Sequence, residues 1–257
     1  MMLIDTHAHL QDENIKKDLA QVLSRATSAG VEKIICVGYD LKSSQEALLI
    51  ARKYRQVYAV VGIHPHDAQS LNPDVLEKIY NMARDQRVVA IGEIGLDFYR
   101  DLSPRDIQRQ AFREQIKMAQ ELGKPIVIHD RDAHQEVMEI IKAEKAGKNQ
   151  GIMHCYSGAM PLATELLKEG FYLSFAGPLT FKNAHKTQEV AAKIPMDKIL
   201  IETDCPYLTP EPWRGKLNEP ANVKYVAAKL GELRDKSTEE VAYLTNLNAK
   251  KVYRIKD

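Results

Sequence analysis

The sequence is poor in cysteine and has no long hydrophobic run. Its 257 residues include only Cys36, Cys155 and Cys205, and none of them forms a CxxC pair. This odd number does not build a disulfide framework and suits a reducing compartment. No apolar run approaches the roughly 18 residues of a membrane span, and no signal-peptide pattern precedes the first apolar segment. We therefore expect a cytoplasmic protein that does not associate with a membrane.

An excess of charge of one sign is also missing. Lys and Arg number 36 against 35 Asp and Glu, which gives a formal net charge of +1. This balance argues against a strongly basic coat for nucleic acid, although a basic rim around a cleft is compatible with it. No GxGxxG motif follows an apolar run, so a dinucleotide-binding fold has no support. With no linker-like segment, we expect one domain over residues 1–257.

What the sequence does contain is a regular alternation of short β-branched runs and helical patterns. Eight strands are predicted, at 2–9, 32–37, 57–63, 88–93, 125–129, 151–155, 171–175 and 198–203. Eight such alternations predict parallel strands with right-handed crossovers, and the length is that of a TIM (β/α)8 barrel. A doubly wound open sheet is the alternative.

Helix punctuation supports this reading of the chain. Asn72 and Pro73 begin one predicted helix, and Ser103, followed by Pro104 and Asp106, begins another. The apolar spacing near the C-terminus predicts an additional helix that closes the outside of the barrel.

Polar side chains stand at the ends of several predicted strands. Asp5, His7 and His9 have the same parity in "LIDTHAHL" (residues 3–10), so they point to one face of the first strand. Other strands end in Glu93, His129, His154, Glu202 and Asp204. In a (β/α)8 barrel all these C-terminal ends form one ring, which is where the active sites of this fold lie.

These residue types indicate a metal site. Buried histidines and carboxylates need polar partners, and a divalent cation supplies one. Four histidines and two carboxylates of this set make six ligands, which exceeds the four of a tetrahedral ion, so two ions that share a carboxylate fit better. Imidazole favours zinc, manganese or iron, whereas magnesium prefers oxygen ligands, and the sequence does not choose among these metals.

Six blocks carry a family resemblance, and they occur in this order: "DTHAHL" (5–10), "GIHPHD" (62–67), "AIGEIGLDFYR" (90–100), "VIHDRDA" (127–133), "MHCYSG" (153–158) and "IETDCPYL" (201–208). Together they closely resemble the TatD family of metal-dependent deoxyribonucleases, which belongs to the amidohydrolase superfamily of TIM barrels. The resemblance implies a two-metal phosphodiesterase that trims DNA as a 3′–5′ exonuclease. The pathway it serves stays open among DNA repair, apoptotic-like degradation and tRNA quality control.

The resemblance also implies roles for individual residues. His7, His9 and Asp204 would hold one ion, His129 and His154 the other, and Glu93 would bridge both. Glu93 and Asp204 are the expected catalytic residues, with Asp204 positioning water and accepting its proton. The residues expected to contact substrate are His64, Arg131, Tyr156, Glu202 and Arg214. Asp5 and Asp97 are expected to accept the second ring N–H of a metal-binding histidine.

Cations beside aromatic residues in the loops that follow the strands suit single-stranded DNA as the substrate. Trp213, the only tryptophan, is the best candidate for a base-stacking platform. Two other functions stay open. One is a metal-dependent ester hydrolase such as a D-aminoacyl-tRNA deacylase, because metal-activated water serves many bonds. The other is a metal-dependent binding protein without catalytic activity.

Overall fold

A computed structural model describes residues 2–256 of the chain. It contains eight strands, each overlapping one predicted from the sequence: β1 (Leu3–Ala8), β2 (Val31–Val37), β3 (Val57–Val61), β4 (Val88–Asp97), β5 (Ile126–Arg131), β6 (Gly151–Met153), β7 (Phe171–Phe175) and β8 (Ile199–Ile201). The largest differences are at strand ends. β4 continues beyond the predicted Glu93 to Asp97, whereas β6 and β8 stop before His154 and Glu202.

The strands form one sheet in the order β1 to β8. Pairing is parallel between β1 and β2, along β3 to β6, and between β7 and β8. β8 lies against β1 through a bridge between Ala8 and Cys205. The predicted (β/α)8 barrel is therefore confirmed, and the doubly wound alternative is wrong because its sheet would have two open edges.

Ten helices connect or follow the described strands: α1 (Glu13–Lys16), α2 (Leu19–Ser28), α3 (Leu41–Lys53), α4 (Pro73–Ala83), α5 (Arg105–Glu121), α6 (His134–Ala143), α7 (Met160–Lys168), α8 (His185–Lys193), α9 (Val223–Arg234) and α10 (Thr238–Tyr253). Capping residues fix several of their starts. The Asn72 side chain accepts from the Val75 N–H before α4, and Ser237 forms a capping box with Glu240 at α10.

One helix start differs from the prediction. Ser103 does not cap α5, since Pro104 occupies the cap position and the Ser103 hydroxyl donates to the His66 carbonyl at 2.8 Å. The additional helix predicted near the C-terminus is confirmed as α10, and a further helix, α9, precedes it and ends where Asp235 adopts a left-handed conformation.

The chain divides into two compact units. The first, called unit 1, contains the described residues up to Cys36, residues 155–164 and those from Leu173 onward. The second, called unit 2, contains residues 37–154 and 165–172. The single domain expected over 1–257 stays a prediction, and its terminal residues Met1 and Asp257 lie outside the described part of the chain.

Each unit has its own buried packing. In unit 1, α10 packs against β1 and β8, and the Tyr253 hydroxyl donates to the Thr6 carbonyl at 3.1 Å. In unit 2, the Gln115 side chain of α5 accepts from the Ile63 N–H at 2.8 Å and donates to the Ile63 carbonyl at 2.9 Å. These bonds hold α5 against the segment after β3.

Within residues 2–256, none of the helices combines the length and apolarity that crossing a membrane requires.

Candidate metal centre

The backbone of unit 1 brings His7, His9 and Asp204 together. The Asp204 N–H donates to the His7 carbonyl at 2.8 Å, and the His9 N–H donates to the Cys205 carbonyl at 2.8 Å. Asp204 has a φ of 55°, in the left-handed region that residues other than glycine seldom adopt. The chain thus turns sharply at Asp204. In a continuous strand Glu202 and Asp204 would point to the same face, but β8 ends at Ile201 and this rule does not apply to them.

The donor atoms of this first cluster have spacings that suit a metal ion. Asp204 Oδ1 lies 3.3 Å from His9 Nε2 and 3.7 Å from His7 Nε2. Around a tetrahedral ion with bonds of about 2.0–2.1 Å, neighbouring ligand atoms are about 3.3–3.4 Å apart. His7 is fully buried and His9 is 6% exposed, so both imidazoles are held in place by their surroundings.

Asp5 supports this cluster in a way the sequence did not predict. Its carboxylate accepts from the Thr203 N–H at 2.8 Å, the Thr203 hydroxyl at 2.5 Å and the His7 backbone N–H at 3.3 Å. The donors of these bonds are backbone and hydroxyl groups, and the expected bond from a metal-binding histidine ring to Asp5 stays a prediction. Burial raises the pKa of Asp5 to about 8, although the Thr203 bonds act in the opposite direction. Asp5 therefore fixes the spacing between β1 and the segment that carries Asp204.

Unit 2 contains a second cluster around Glu93. Glu93 Oε1 lies 2.9 Å from His129 Nδ1, 3.0 Å from His154 Nε2 and 3.7 Å from His64 Nε2. Burial would raise the pKa of Glu93, but the neighbouring His154 and His64 lower it well below the usual value. The carboxylate is therefore held in its charged form among three imidazoles.

Asp97, at the end of β4, orients part of this second cluster. Its Oδ2 lies 3.0 Å from His129 Nε2 and 2.8 Å from His66 Nε2. Burial would raise the pKa of Asp97, but the hydrogen bond from His129 and the backbone N–H of Arg100 lower it. With His129 Nε2 directed at Asp97, Nδ1 faces Glu93, and the role of Asp97 behind a metal-binding histidine stays a prediction.

β4 must lie very close to β5 for this geometry. Gly95 has a φ of 140°, and a Cβ placed on it would lie 2.0 Å from the His129 carbonyl oxygen. Any side chain at Gly95 would therefore push β4 away from His129.

Sequence reasoning missed three residues that shape the site. His66 was not selected, although the HPH spacing in "GIHPHD" (62–67) is a visible signal. Thr203 and Gln108 carry no such signal. Gln108 is buried on α5, where it accepts from the Asp97 N–H at 2.9 Å. His64 lies beside the Glu93 cluster, where burial lowers its pKa well below 6.5, and its contact with substrate stays a prediction.

The remaining predicted substrate contacts occupy different environments. The Arg131 guanidinium lies 3.9 Å from the centre of the exposed Tyr99 ring, and that of Arg214 lies 4.3 Å from the Phe181 ring. Tyr156 is buried and its hydroxyl donates to the Ala159 carbonyl at 2.7 Å. Glu202 is fully buried and accepts from the Cys155 N–H at 2.7 Å. Their contact with substrate stays a prediction.

Both clusters fit a divalent cation by the chemistry of their donors. The first offers two imidazoles and a carboxylate, and the second offers three imidazoles and a carboxylate. The donor atoms of His7, His9 and Asp204 lie within 4.8 Å of one another, as do those of His64, Glu93 and His129. Mixed imidazole and carboxylate sets are typical of zinc and manganese sites.

Comparisons with known proteins identify relatives over the whole chain. A family model described as "TatD related DNase" matches residues 4–254. The "Uncharacterized metal-dependent hydrolase YabD" of Bacillus subtilis is 49% identical over 254 residues, covering 99% of this chain and all of the relative. The "3'-5' ssDNA/RNA exonuclease TatD" of Klebsiella pneumoniae is 32% identical over 258 residues, covering 98% of each. The crystal structure of YJJV, a TatD homologue from Escherichia coli, superposes with a TM-score of 0.93 at 30% identity, covering 99% of this chain and 98% of that one.

Proposed function

Because the chain belongs to the TatD family and is a metal-dependent hydrolase, we propose that it is a two-metal deoxyribonuclease that removes nucleotides from the 3′ end of single-stranded DNA. The observation that carries this proposal is the pair of histidine and carboxylate clusters, one in each compact unit. The name of the Klebsiella relative supports the choice of a nucleic acid strand as the substrate.

In this proposal each cluster holds one ion. His7, His9 and Asp204 bind the first, and Glu93, His129 and His154 bind the second. The bridging role of Glu93 between the two ions is part of the proposal and follows from the family resemblance. When bound, such ions neutralise charge on phosphoryl oxygens and lower the pKa of water toward neutrality.

The protein's own residues have distinct tasks in the proposed reaction. Asp204 orients the attacking water and accepts its proton, since its Oδ1 lies at the first cluster, 3.3 Å from His9 Nε2 and 3.7 Å from His7 Nε2. Asp97 holds the His129 ring in one orientation through the 3.0 Å bond to Nε2. His64 lies beside Glu93 and donates a hydrogen bond to a phosphate oxygen of the substrate.

The test compares three substrates under matched conditions. We expect metal-loaded protein to shorten a 5′-labelled single-stranded DNA oligomer stepwise from its 3′ end, and to act more slowly on labelled RNA. Aminoacyl-tRNA is the third substrate, and preferential deacylation of it would replace the nuclease proposal with the ester-hydrolase alternative.

Two variants make this assay specific to the site. Glu93→Ala removes the carboxylate that three imidazoles surround. We therefore expect the metal-loaded variant to cleave DNA no faster than metal-free protein does. Glu77→Ala removes an exposed carboxylate of α4 in the same unit and serves as the matched control. A Glu93→Ala protein that kept normal cleavage and metal response would refute the proposed centre. Substrate binding without hydrolysis under any metal would favour a binding protein.

A further inference from the structure

A cleft of about 450 Å³ opens in unit 1. The second half of α2, the loop that follows β8 and the start of α9 form its walls. Side chains that line it include Arg25, Trp213, Lys216, Leu217, Lys224 and Tyr225. Neither His7, His9 nor Asp204 contributes to this lining, so the cleft is separate from the metal cluster of the same unit.

The cleft has a surplus of positive charge. Arg25 forms a bidentate pair with Glu219, with Nη2 at 2.7 Å and Nε at 2.9 Å from Oε2. This pair holds the loop against α2 and neutralises both partners. The charge that is left comes from Lys216 and Lys224, which stand on the loop and on the first turn of α9.

Aromatic rings lie beside both lysines. Lys216 Nζ is 4.5 Å from the centre of the Trp213 ring, and Lys224 Nζ is 5.2 Å from that of Tyr225. Trp213 remains 40% exposed despite its neighbours. Sites for single-stranded nucleic acid combine rings on which bases stack with cations that contact the phosphates. An acidic peptide would use the lysines but would leave the exposed indole without a stacking partner.

The loop that forms the cleft also carries Asp204, one of the three residues of the first metal cluster. Asn218 is fully buried, and its side-chain amide donates to the Thr203 carbonyl at 2.9 Å and the Tyr207 carbonyl at 2.7 Å. These two acceptors flank Asp204 in sequence. Leu217 and Glu219 line the cleft on either side of Asn218, so these hydrogen bonds tie the wall of the cleft to the chain segment that holds Asp204.

We propose that this cleft binds the part of a single-stranded nucleic acid that lies a few nucleotides 5′ of the bond being cleaved. A base stacks on Trp213, and Lys216 and Lys224 contact the adjoining phosphates. The inference rests on the proposed nuclease function and adds to it a second binding site that favours longer strands.

The single tryptophan gives a direct measurement. Metal-loaded protein is titrated with phosphorothioate oligothymidylates, which resist hydrolysis, of two and ten nucleotides. We expect the ten-nucleotide strand to quench the fluorescence of Trp213 and the dinucleotide to leave it unchanged. A polyglutamate chain of similar charge tests the alternative occupant, and equal quenching by it would overturn the proposal in favour of a peptide.

Variants assign the contacts within the cleft. We expect Trp213→Ala to weaken binding of a fluorescein-labelled ten-nucleotide strand about five- to a hundredfold, measured by fluorescence anisotropy, because one base loses its stacking partner. Lys216→Gln and Lys224→Gln should each reduce the slope of log K against log salt by about 0.7, the contribution of one phosphate contact on a single strand. Lys251→Gln on the exposed side of α10 is the matched control and should keep the full slope.

The two proposals fail in different ways. Suppose that the protein cleaves single-stranded DNA, but the ten-nucleotide strand does not quench Trp213 and the lysine variants keep the full salt slope. The cleft assignment is then overturned and the nuclease proposal stands. If the longer strand binds and quenches but no nucleic acid is cleaved with any metal, the nuclease proposal is overturned, and with it the role of the cleft in cleavage.

Discussion

Replacing Asp97 with asparagine tests how the second cluster is oriented. The Asp97 side chain is fully buried and accepts four hydrogen bonds. Its Oδ2 faces the ring nitrogens of His129 and His66, and its Oδ1 accepts from the N–H groups of Tyr99 at 3.1 Å and Arg100 at 2.7 Å. The variant keeps the shape of the side chain but replaces one acceptor oxygen with a donor.

Neither orientation of the new amide satisfies all these partners. If its NH2 group faces the rings, it meets the N–H that His129 directs at Oδ2. If the amide flips, its NH2 group meets two backbone N–H groups. Removing a partner of this kind from a metal-binding histidine typically lowers metal affinity 10- to 100-fold, or about 1.4–2.7 kcal/mol. We expect Asp97→Asn to fall in this range.

Calorimetric titration of metal-free protein with Mn²⁺ measures the effect. Asp106→Asn, on the exposed first turn of α5, is the matched control and should bind as the unchanged protein does. Far-UV circular dichroism verifies that both variants are folded. A folded Asp97→Asn protein with unchanged affinity at both sites would show that the His129 orientation does not depend on Asp97, and would refute the reasoning.

Two further predictions concern unit 1 and the cysteines. Asn218→Ala removes the hydrogen bonds to the Thr203 and Tyr207 carbonyls, so we expect the free energy of unfolding to fall by about 2–4 kcal/mol in urea titrations. An unchanged value would show that other contacts hold the loop. Cys36 and Cys205 are fully buried, and burial raises the pKa of the Cys205 thiol well above 9. We therefore expect only the half-buried Cys155 to react with an aromatic disulfide reagent in the native protein. Modification of more than one thiol before unfolding would contradict this.

Most of the fold follows from local sequence patterns. A strand that is covered on both faces needs an apolar side chain at nearly every position, and runs such as "VYAVV" (57–61) carry that signal without reference to the rest of the chain. Strand ends are less predictable. β6 stops at Met153 and β8 at Ile201. The residues that follow, His154 and Glu202, are not turn residues such as glycine, so the sequence does not mark either strand end.

The candidate ligands could also be selected from sequence, because a histidine or carboxylate directly after an apolar strand is costly without a partner. Their supporting residues could not. Thr203 and Gln108 have ordinary polar side chains, and only the folded chain shows that they fix Asp5 and the Asp97 backbone. Ser103 is a similar case, since a hydroxyl before a helix predicts that it accepts from an N–H of the first turn, whereas in the structure it donates to the His66 carbonyl.

The amino-acid sequence by itself determined the alternating strands and helices, the barrel class and the set of imidazoles and carboxylates at strand ends, since each depends on residue type and spacing along the chain. Tertiary structure decided which of those groups meet and how they are directed. The left-handed turn at Asp204, the pairing of Asp97 with His129 and the position of Asn218 all depend on hydrogen bonds between segments distant in sequence. Such bonds depend on where the folded backbone places each donor and acceptor, which local spacing does not encode.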